Sequence, residues 1–293
     1  MLKVGVITDE VSQSLEEALG FARRFELAGV ELRSVAGDGP FDWSLATVKG
    51  FRALLKRYGL RAVGISAPLF KCDIHDREAV ERHLAGFRRC AEFCDLLGCS
   101  LIRGFDFWEA GVPVRQRAER FEPIIEISRK YGVTCALEYD PSVHASTPPL
   151  LRELVDAIGS PQIRALFDPG NGIFSRPGSR PFPEDYETLR PVLCHIHIKD
   201  AVSGPEGVRA VCIGEGEVNY PSLLRRLLQD GYSGYLMLET HYRLASQLTE
   251  EQLRLPGGQA FSDGAYAASE QSMNALLRLL RQASKEAVPC QES

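Results

Sequence analysis

The sequence lacks three features that would each define a class of protein: paired cysteines, a long apolar run and an excess of basic charge. Its eight cysteines are scattered and none forms a C-x-x-C pair, so we interpret Cys135 and Cys194, inside predicted strands, as buried thiols. No apolar run approaches the length of a membrane span. The opening residues MLKVGVITDE predict a strand followed by acidic residues rather than a signal peptide. We therefore expect a cytoplasmic, reduced protein with no membrane partner.

Basic charge is too scarce for a protein whose affinity depends on the phosphates of nucleic acid. The chain of 293 residues has a net charge of −5 and a sequence pI near 5.8, whereas binding to a phosphate backbone requires clustered lysine and arginine. Hydrophobic residues make up 44% of the chain and charged residues 25%, which is ordinary for a soluble enzyme. We expect a small-molecule partner and no nucleic-acid partner.

What the sequence does contain is a regular alternation of strand and helix patterns. Apolar stretches typical of strands begin near residues 3, 30, 60, 100, 133, 163, 192 and 235, and a helical pattern follows each of them. Glycines at positions 59, 98 and 132 are predicted to end helices. No linker-like break interrupts the alternation, so we predict a single domain over residues 1–293.

Eight strand–helix units of this length predict an α/β fold, a single (β/α)8 TIM barrel with its active site at the C-terminal ends of the strands. The main alternative is an open, doubly wound sheet. That fold would carry a glycine-rich phosphate turn after its first strand, and TDEVSQS is not such a turn. The barrel is therefore favoured.

The segment from Val192 to Asp200, VLCHIHIKD, begins apolar and ends polar. On a strand His195, His197 and Lys199 share one face. Ionisable side chains are costly inside a sheet without partners, and a barrel strand that ends in polar residues feeds an active site. We interpret His197, at the strand's end, as a metal ligand and His195, one step deeper, as a packed, hydrogen-bonded histidine.

Three further predicted strands end in a carboxylate. VTCALEYD ends the fifth strand with Glu138, IRALFD ends the sixth with Asp168, and YLMLETH ends the eighth with Glu239. With His197, these residues supply one ligand at each of four successive strand ends, which predicts a site for one divalent metal ion. A single carboxylate at such a position can equally cap the next helix or pair with arginine, and Asp168 before Pro-Gly-Asn is also a good turn former.

The segments ALEYD, FDPGN, HIHIKD, IGEGEVNY and LETH resemble those of the xylose isomerase-like superfamily of sugar phosphate isomerases and epimerases. The resemblance runs from the first strand to the eighth and covers essentially the whole chain. It implies a TIM barrel that binds one Mn, Mg, Co or Zn ion through Glu138, Asp168, His197 and Glu239. It also implies a homodimer or homotetramer.

Three carboxylates and one imidazole form an oxygen-rich ligand set, which suits Mn, Mg or Co at least as well as Zn. A cation held in this way leaves room for two adjacent oxygens of an α-hydroxy carbonyl and would stabilise a cis-enediolate. Glu138 and Glu239 are the natural acid/base pair for moving the carbon-bound proton, and the resemblance implies the same roles. We therefore predict a metal-dependent isomerase or epimerase of a small sugar, keto-sugar or inositol derivative.

Further residues are candidates for substrate binding because they follow strands or face the same rim: Asn171, Lys199, Arg103, His241, Lys71 and Glu10. Lys199 and Arg103 can hold a hydroxyl, a carboxylate or a phosphate. Glu31 and Arg33, at the end of the second strand, equally fit a structural ion pair. The glycine-containing loop over residues 253–263 is predicted to close over the site.

The chain departs from two branches of the superfamily at one position. Ketose 3-epimerases and the DNA-repair enzyme endonuclease IV often have a histidine three residues after the sixth-strand aspartate, where this chain has Asn171. Endonuclease IV also needs a histidine cluster for three Zn ions, which the six histidines here do not supply. DNA repair is therefore disfavoured. A metal-dependent dehydratase of an inosose-like substrate and a non-catalytic sugar-binding barrel stay open as alternatives.

Overall fold

The computed structural model describes residues 2–287, and eight parallel strands in it close into a barrel. The barrel strands are β1 Lys3–Ile7, β2 Gly29–Leu32, β3 Ala62–Leu69, β4 Leu101–Gly104, β5 Thr134–Glu138, β6 Ile163–Phe167, β7 Leu193–Ile198 and β10 Tyr235–Leu238. Strands β8 (Asp200–Gly204) and β9 (Gly207–Val211) form a separate two-stranded sheet. Barrel neighbours follow chain order, and β10 closes the ring by pairing with β1. The predicted (β/α)8 TIM barrel is confirmed.

Helices connect the strands around the outside of the barrel. Those described are α1 Leu15–Arg24, α2 Leu45–Tyr58, α3 Arg77–Leu97, α4 Val114–Glu119, α5 Glu122–Tyr131, α6 Pro148–Ile158, α7 Pro169–Ser175, α8 Tyr186–Leu189, α9 Tyr220–Gln229, α10 Glu250–Arg254, α11 Gln259–Ser262 and α12 Ala265–Ala287. Within these residues, none of the helices combines the length and the apolar character needed to cross a membrane. The domain limits of 1–293 stay a prediction, because residues 1 and 288–293 lie outside the described range.

Local signals explain where the helices begin and end. The Ser14 hydroxyl accepts the Glu17 N–H at the start of α1, as an N-cap does. Gly59 and Gly98 end α2 and α3 with φ angles of 65° and 72°, a left-handed conformation that glycine adopts without a steric penalty. Gly132 ends a helix as predicted, and the segment before it forms two helices, α4 and α5. Pro123 in the first turn of α5 lacks the N–H needed to continue the ladder of α4.

Strands β8 and β9 form a hairpin directly after β7. The sequence pattern of residues 202–217 indicates only an insertion after the seventh barrel strand and does not predict this hairpin. In the structure Asp200 pairs with Val211 at the base of the hairpin. The Asp200 carboxylate also accepts the backbone N–H groups of Gly214, Gly216 and Val218, at 2.9, 3.0 and 3.2 Å. One side chain therefore anchors the returning segment to the end of β7.

Three aromatic side chains that follow β3 and β4 are part of the core. Phe70, Phe105 and Phe107 are all buried, and the Phe70 and Phe107 rings stack with their centroids 4.2 Å apart. The Phe121 ring meets Phe70 edge to face at 5.1 Å. Such offset and edge-on pairs are the arrangements that aromatic rings favour.

The barrel wall is too tight at Gly64 for a side chain. A Cβ atom there would lie 2.8 Å from the backbone oxygen of Leu101 on β4, whereas a Cβ at Gly50 in α2 would meet nothing within 4 Å. We expect Gly64→Ala to lower the free energy of unfolding by about 1–3 kcal/mol, because overpacking displaces the strand. The control Gly50→Ala should raise it by up to about 1 kcal/mol, because alanine is the better helix former. Urea unfolding measures both, and a Gly64→Ala protein as stable as the wild type would contradict this account.

Candidate functional site

The carboxyl ends of four barrel strands bring four predicted ligands to one rim. Glu138 ends β5, Asp168 follows β6, His197 lies in β7 and Glu239 follows β10. One donor atom from each of these residues lies within 4.8 Å of the others, and all four side chains are buried. We call these residues the ligand set.

His197 presents its two ring nitrogens to different partners. Its Nδ1 lies 3.0 Å from Glu239 Oε2 and 3.4 Å from Glu138 Oε1, within the ligand set. Its Nε2 lies 3.4 Å from Glu31 Oε2. A carboxylate on the second nitrogen holds a ligating imidazole in the required tautomer and orientation. Glu31 has that position here.

Glu31 and Arg33 do not pair with each other, so the alternative of a structural ion pair between them is wrong. Glu31 accepts the Ser66 hydroxyl and lies 2.8 Å from His195 Nε2. His195 is thus the packed, hydrogen-bonded histidine that the sequence predicted. Arg33 directly follows β2, two residues after Glu31 and closer to the barrel mouth. It pairs with Asp9 and Glu10, which follow β1, and with Glu239.

Asp168 has two functions in the local structure. Its Oδ1 accepts the backbone N–H of Asn171 at 3.2 Å and so caps α7, as the turn-forming alternative anticipated. Its Oδ2 lies 2.8 Å from Lys199 Nζ. Burial raises the pKa of Asp168 to about 7 despite Lys199, with Glu138 and Glu239 adding to the rise. The carboxyl group therefore lies among like charges.

Asn171 and two cations hold the other carboxylates. The Asn171 amide donates to Glu138 Oε1 at 3.1 Å, and its oxygen accepts from Lys199 at 3.0 Å. Lys199 Nζ also lies 3.2 Å from Glu239 Oε2. Arg103 Nη1 bridges the two glutamates, 3.3 Å from Glu138 Oε2 and 3.3 Å from Glu239 Oε1. The structure thus brings three of the predicted substrate-binding residues into direct contact with the ligand set.

The remaining candidates lie further out. The His241 Nε2 atom lies 3.5 Å from Glu239 Oε1 and 3.3 Å from Glu10 Oε1. The Glu10 carboxylate also pairs with Arg33 at 2.8 Å and accepts the His241 backbone N–H. Lys71 binds Asp140 at 2.8 Å and the Arg254 carbonyl at 2.7 Å, away from the ligand set. Glu10 is enclosed by ion pairs, whereas His241 and Lys71 line cavities at the rim.

Ion pairs join the side chains of the rim into one buried network. Its members are Asp9, Glu10, Glu31, Glu138, Asp168 and Glu239, with Arg33, Arg103, Lys199, Arg243, His195, His197 and His241. Six carboxylates face four lysine or arginine cations, so two negative charges are in excess when the histidines are neutral, as His197 must be to bind a metal ion. Without an ion, and despite burial, Glu31, Glu239 and Glu138 raise the pKa of His197 well above its usual value, and the proton it then carries offsets part of this excess. An unbalanced buried charge costs several kcal/mol. A divalent cation at the ligand set would supply the missing charge, so the residues present fit such an ion.

The two glutamates stay ionised in this environment. Burial opposes ionisation of Glu239, yet Lys199 and His197 hold its pKa well below the usual value. Burial and Glu239 oppose ionisation of Glu138, yet His197 and Arg103 hold its pKa below the usual value. Both carboxylates are therefore available as proton acceptors near neutral pH.

Two cavities open at the rim beneath the segment that follows β10. One, of about 260 Å³, is lined on one side by residues 255–258; the other, of about 290 Å³, is lined by Asn171, Phe174 and part of α10. The Arg254 guanidinium lies 4.0 Å from the centroid of the Trp108 ring, a cation–π distance. The segment predicted to close over the site therefore lies across its mouth.

Sequence reasoning did not place Glu31 beside the two histidines of β7, nor Asp140 beside Lys71. Glu31 interrupts the apolar run GVEL in the second strand, and an unexplained carboxylate in such a run signals a partner elsewhere in the barrel. Asp140 follows Glu138 by two positions in ALEYD and so belongs to the same strand end.

Comparisons with known proteins agree with this geometry. The family model described as xylose isomerase-like TIM barrel matches residues 19–280. An uncharacterized protein of Methanocaldococcus jannaschii is 30% identical over 119 residues, which span 40% of this chain and 40% of that protein.

Solved structures similar to this one include two epimerases and a dehydratase. An L-ribulose 3-epimerase matches with a TM-score of 0.74 at 16% identity, covering 100% of both chains. A D-allulose 3-epimerase from Methylomonas sp. matches with a TM-score of 0.70 at 17% identity, covering 96% of this chain and 98% of its own. A probable 3-DHS dehydratase from Bacillus anthracis matches with a TM-score of 0.68 at 20% identity, covering 94% of this chain and 99% of its own. At these identities the likeness is one of fold.

The contact between Glu31 and His197 predicts an effect on metal affinity. We expect Glu31→Gln to weaken Mn²⁺ binding by about 10–100-fold, because the ring loses the carboxylate that orients it. Glu126→Gln, an exposed change on α5, is the matched control and should bind like the wild type. Titration of each protein with Mn²⁺, followed by electron paramagnetic resonance, measures the affinity. Equal affinity in Glu31→Gln and the control would remove Glu31 from this role.

Proposed function

The chain belongs to the xylose isomerase-like TIM barrel family, and on that premise we propose that it is a divalent-metal-dependent isomerase or epimerase of a small sugar, keto-sugar or inositol derivative. One observation carries the proposal. Three carboxylates and an imidazole from four strand ends have donor atoms within 4.8 Å of one another at a buried rim. Such a set is costly to bury unless a cation or a reaction requires it.

The proposed cofactor is one Mn, Mg, Co or Zn ion held by Glu138, Asp168, His197 and Glu239. When bound, the ion would supply positive charge that stabilises an enediolate. The 3.0 and 3.4 Å separations between His197 Nδ1 and the two glutamates support this, because ligands about 2.1 Å from one ion lie about 3 Å apart. The distances within the set therefore suit a shared ion.

The two glutamates would move the proton. One glutamate, in its ionised form, would take the proton from the carbon next to the carbonyl, and the same carboxyl group would return that proton at the adjacent carbon. For inversion, the other glutamate, itself protonated from solvent beforehand, would deliver a proton at the opposite face. Arg103 bridges the pair and favours the ionised form of Glu138, while Asn171 holds Glu138 through its amide. Lys199 is close enough to Glu239 to donate a hydrogen bond to a substrate oxygen beside it. The substrate is proposed to be a sugar or polyol without phosphate.

A dehydratase of an inosose-like substrate is the second candidate. The Lys199 ammonium lies between Asp168 and Glu239, and a cation in that position can stabilise a departing β-hydroxyl by donating a hydrogen bond to it. The fold likeness to a probable 3-DHS dehydratase is compatible with this chemistry. A non-catalytic barrel would have no need of a complete ligand set. The homodimer or homotetramer and the cytoplasmic location stay predictions from the sequence.

Metal content tests the cofactor proposal directly. We expect about one Mn, Co, Mg or Zn ion per purified chain, and its loss in both His197→Ala and Glu239→Gln, because each change removes a ligand. Inductively coupled plasma mass spectrometry measures the content, with Glu126→Gln as the control. Absence of metal from the native protein, even after Mn²⁺ is added, would reject the metal-dependent mechanism.

Proton exchange tests the acid/base pair. We expect the wild-type protein to incorporate deuterium from D₂O into its ketose or inosose substrates. Glu138→Gln should slow this exchange by about 100-fold or more, the effect of losing a general base. Nuclear magnetic resonance follows the exchange, and the metal content of each variant is measured in parallel. Unchanged exchange in Glu138→Gln would show that this carboxylate does not transfer the proton.

A further inference from the structure

The 260 Å³ cavity at the rim has a cationic lining. Arg33, Lys71 and Arg103 contribute to its wall, and the other lining residues are glycine, proline, serine and leucine. Among residues 2–287, no aspartate or glutamate lines this cavity. A pocket walled by one sign of charge attracts ligands of the opposite sign.

The acidic partners of these cations face elsewhere. Arg103 is paired with Glu138 and Glu239 in the ligand set, and Lys71 is paired with Asp140, which lines the neighbouring 290 Å³ cavity. The cations therefore stand between the carboxylates and the 260 Å³ cavity. Because Arg103 touches both glutamates, this cavity begins one side chain away from the proposed reacting groups.

Arg103 has hydrogen-bonding capacity to spare. Its contacts with Glu138 and Glu239 are long, at 3.3 Å, and that with the Ser66 carbonyl is 3.5 Å. Its Nε atom is buried without an acceptor among the described residues. A guanidinium offers five N–H donors in a fixed plane, and leaving one of them unpaired in the interior is costly. An incoming acceptor would remove that cost.

A single aromatic ring holds the two cations next to each other. The Phe105 centroid lies 4.8 Å from the Arg103 guanidinium carbon and 4.4 Å from Lys71 Nζ. Both distances are typical of cation–π contacts. The guanidinium and the ammonium therefore form a preorganised pair for one anionic group.

The geometry points to a substrate that carries a carboxylate, bound by Arg103 and Lys71 in this cavity while its α-hydroxy carbonyl faces Glu138 and Glu239. This inference rests on the proposed function and names its substrate class as keto-sugar acids. The two oxygens of a carboxylate match adjacent donors of a guanidinium. Backbone N–H groups that would favour phosphate are engaged here, since Gly37 donates to Gln13 and Gly258 donates to Ser34.

Matched ligand pairs test the inference by calorimetry on the Mn-loaded protein. D-fructose, D-tagatose and L-sorbose are compared with D-fructuronate, D-tagaturonate and L-sorburonate, in which the terminal CH₂OH is oxidised to a carboxylate. D-fructose 6-phosphate distinguishes phosphate from carboxylate as the anion. We expect at least one acid to bind tenfold or more tightly than its neutral partner and than the phosphate. Equal affinities within all pairs, tighter binding of the phosphate, or no binding of any acid would overturn the inference.

Variants of Lys71 test whether the 260 Å³ cavity causes the preference for acids over neutral ketoses. We expect Lys71→Gln to reduce the ratio of acid to neutral affinity at least tenfold, and Lys71→Arg to retain it because the charge is kept. Lys130→Gln, an exposed change on α5, controls for net charge, and thermal unfolding confirms that each variant is folded. An unchanged ratio in Lys71→Gln would overturn the assignment. Arg103 is left intact because its loss would also disturb Glu138 and Glu239.

Deuterium exchange separates this inference from the proposed function. Exchange into the neutral ketoses that equals or exceeds exchange into the acids would overturn the keto-acid class and leave the isomerase proposal standing. Preferential binding of an acid without exchange into any ligand would overturn the isomerase proposal and leave the acid-binding cavity standing. Preferential binding of an acid together with faster exchange into it would support both.

Discussion

Crowding of buried negative charge at the carboxyl rim is the constraint on which the rest of the site depends. Parallel strands direct their ends to one place, so carboxylates far apart in the chain meet without solvent between them. Glu239 by itself pairs with three cations, Arg33, Arg103 and Lys199, and also contacts the His197 ring. Removal of one partner from such a network leaves an uncompensated charge, which typically costs about 3–5 kcal/mol. Each member is therefore held in place by several others, and the geometry of the ligand set is set before any substrate arrives.

The rim is built in layers, and each layer has its own task. Glu31 and His195 lie below the ligand set, where they fix the ring of His197. Arg103 and Lys199 lie at its level and pair with its carboxylates. Above it, the segment that follows β10 covers two cavities of different character. On the proposed function, chemistry and recognition would take place at different heights in the barrel, as expected where loops vary on a constant strand framework.

Much of the fold and the positions of the four ligand-set residues could be predicted because both depend on short-range patterns. Alternation marks the strands, and a polar residue at each strand end marks the rim. Ion pairs between side chains of different strands could not be predicted. Arg33 pairs with Asp9 and Glu10 rather than with Glu31, two positions before it in the sequence. The separation of residues in the sequence does not indicate which of these carboxylates the arginine will contact. Helix α7 was overlooked because Pro-Gly-Asn-Gly is a turn pattern, and only the capping carboxylate of Asp168 makes it a helix start. The hairpin was overlooked because its strands are only five residues long and neither shows a clear alternation of apolar and polar residues.

The anchoring of that hairpin by Asp200 separates two parts of the chain that are adjacent in sequence. Lys199 contacts the ligand set, whereas the next residue, Asp200, ties the hairpin segment to Gly214, Gly216 and Val218 through its side chain. The tip between β8 and β9 therefore lies beyond this anchor, which separates it from the lysine. The barrel gains an appendage whose sequence is free to diverge, and this is the kind of place where descendants of one enzyme acquire new surfaces without losing their chemistry.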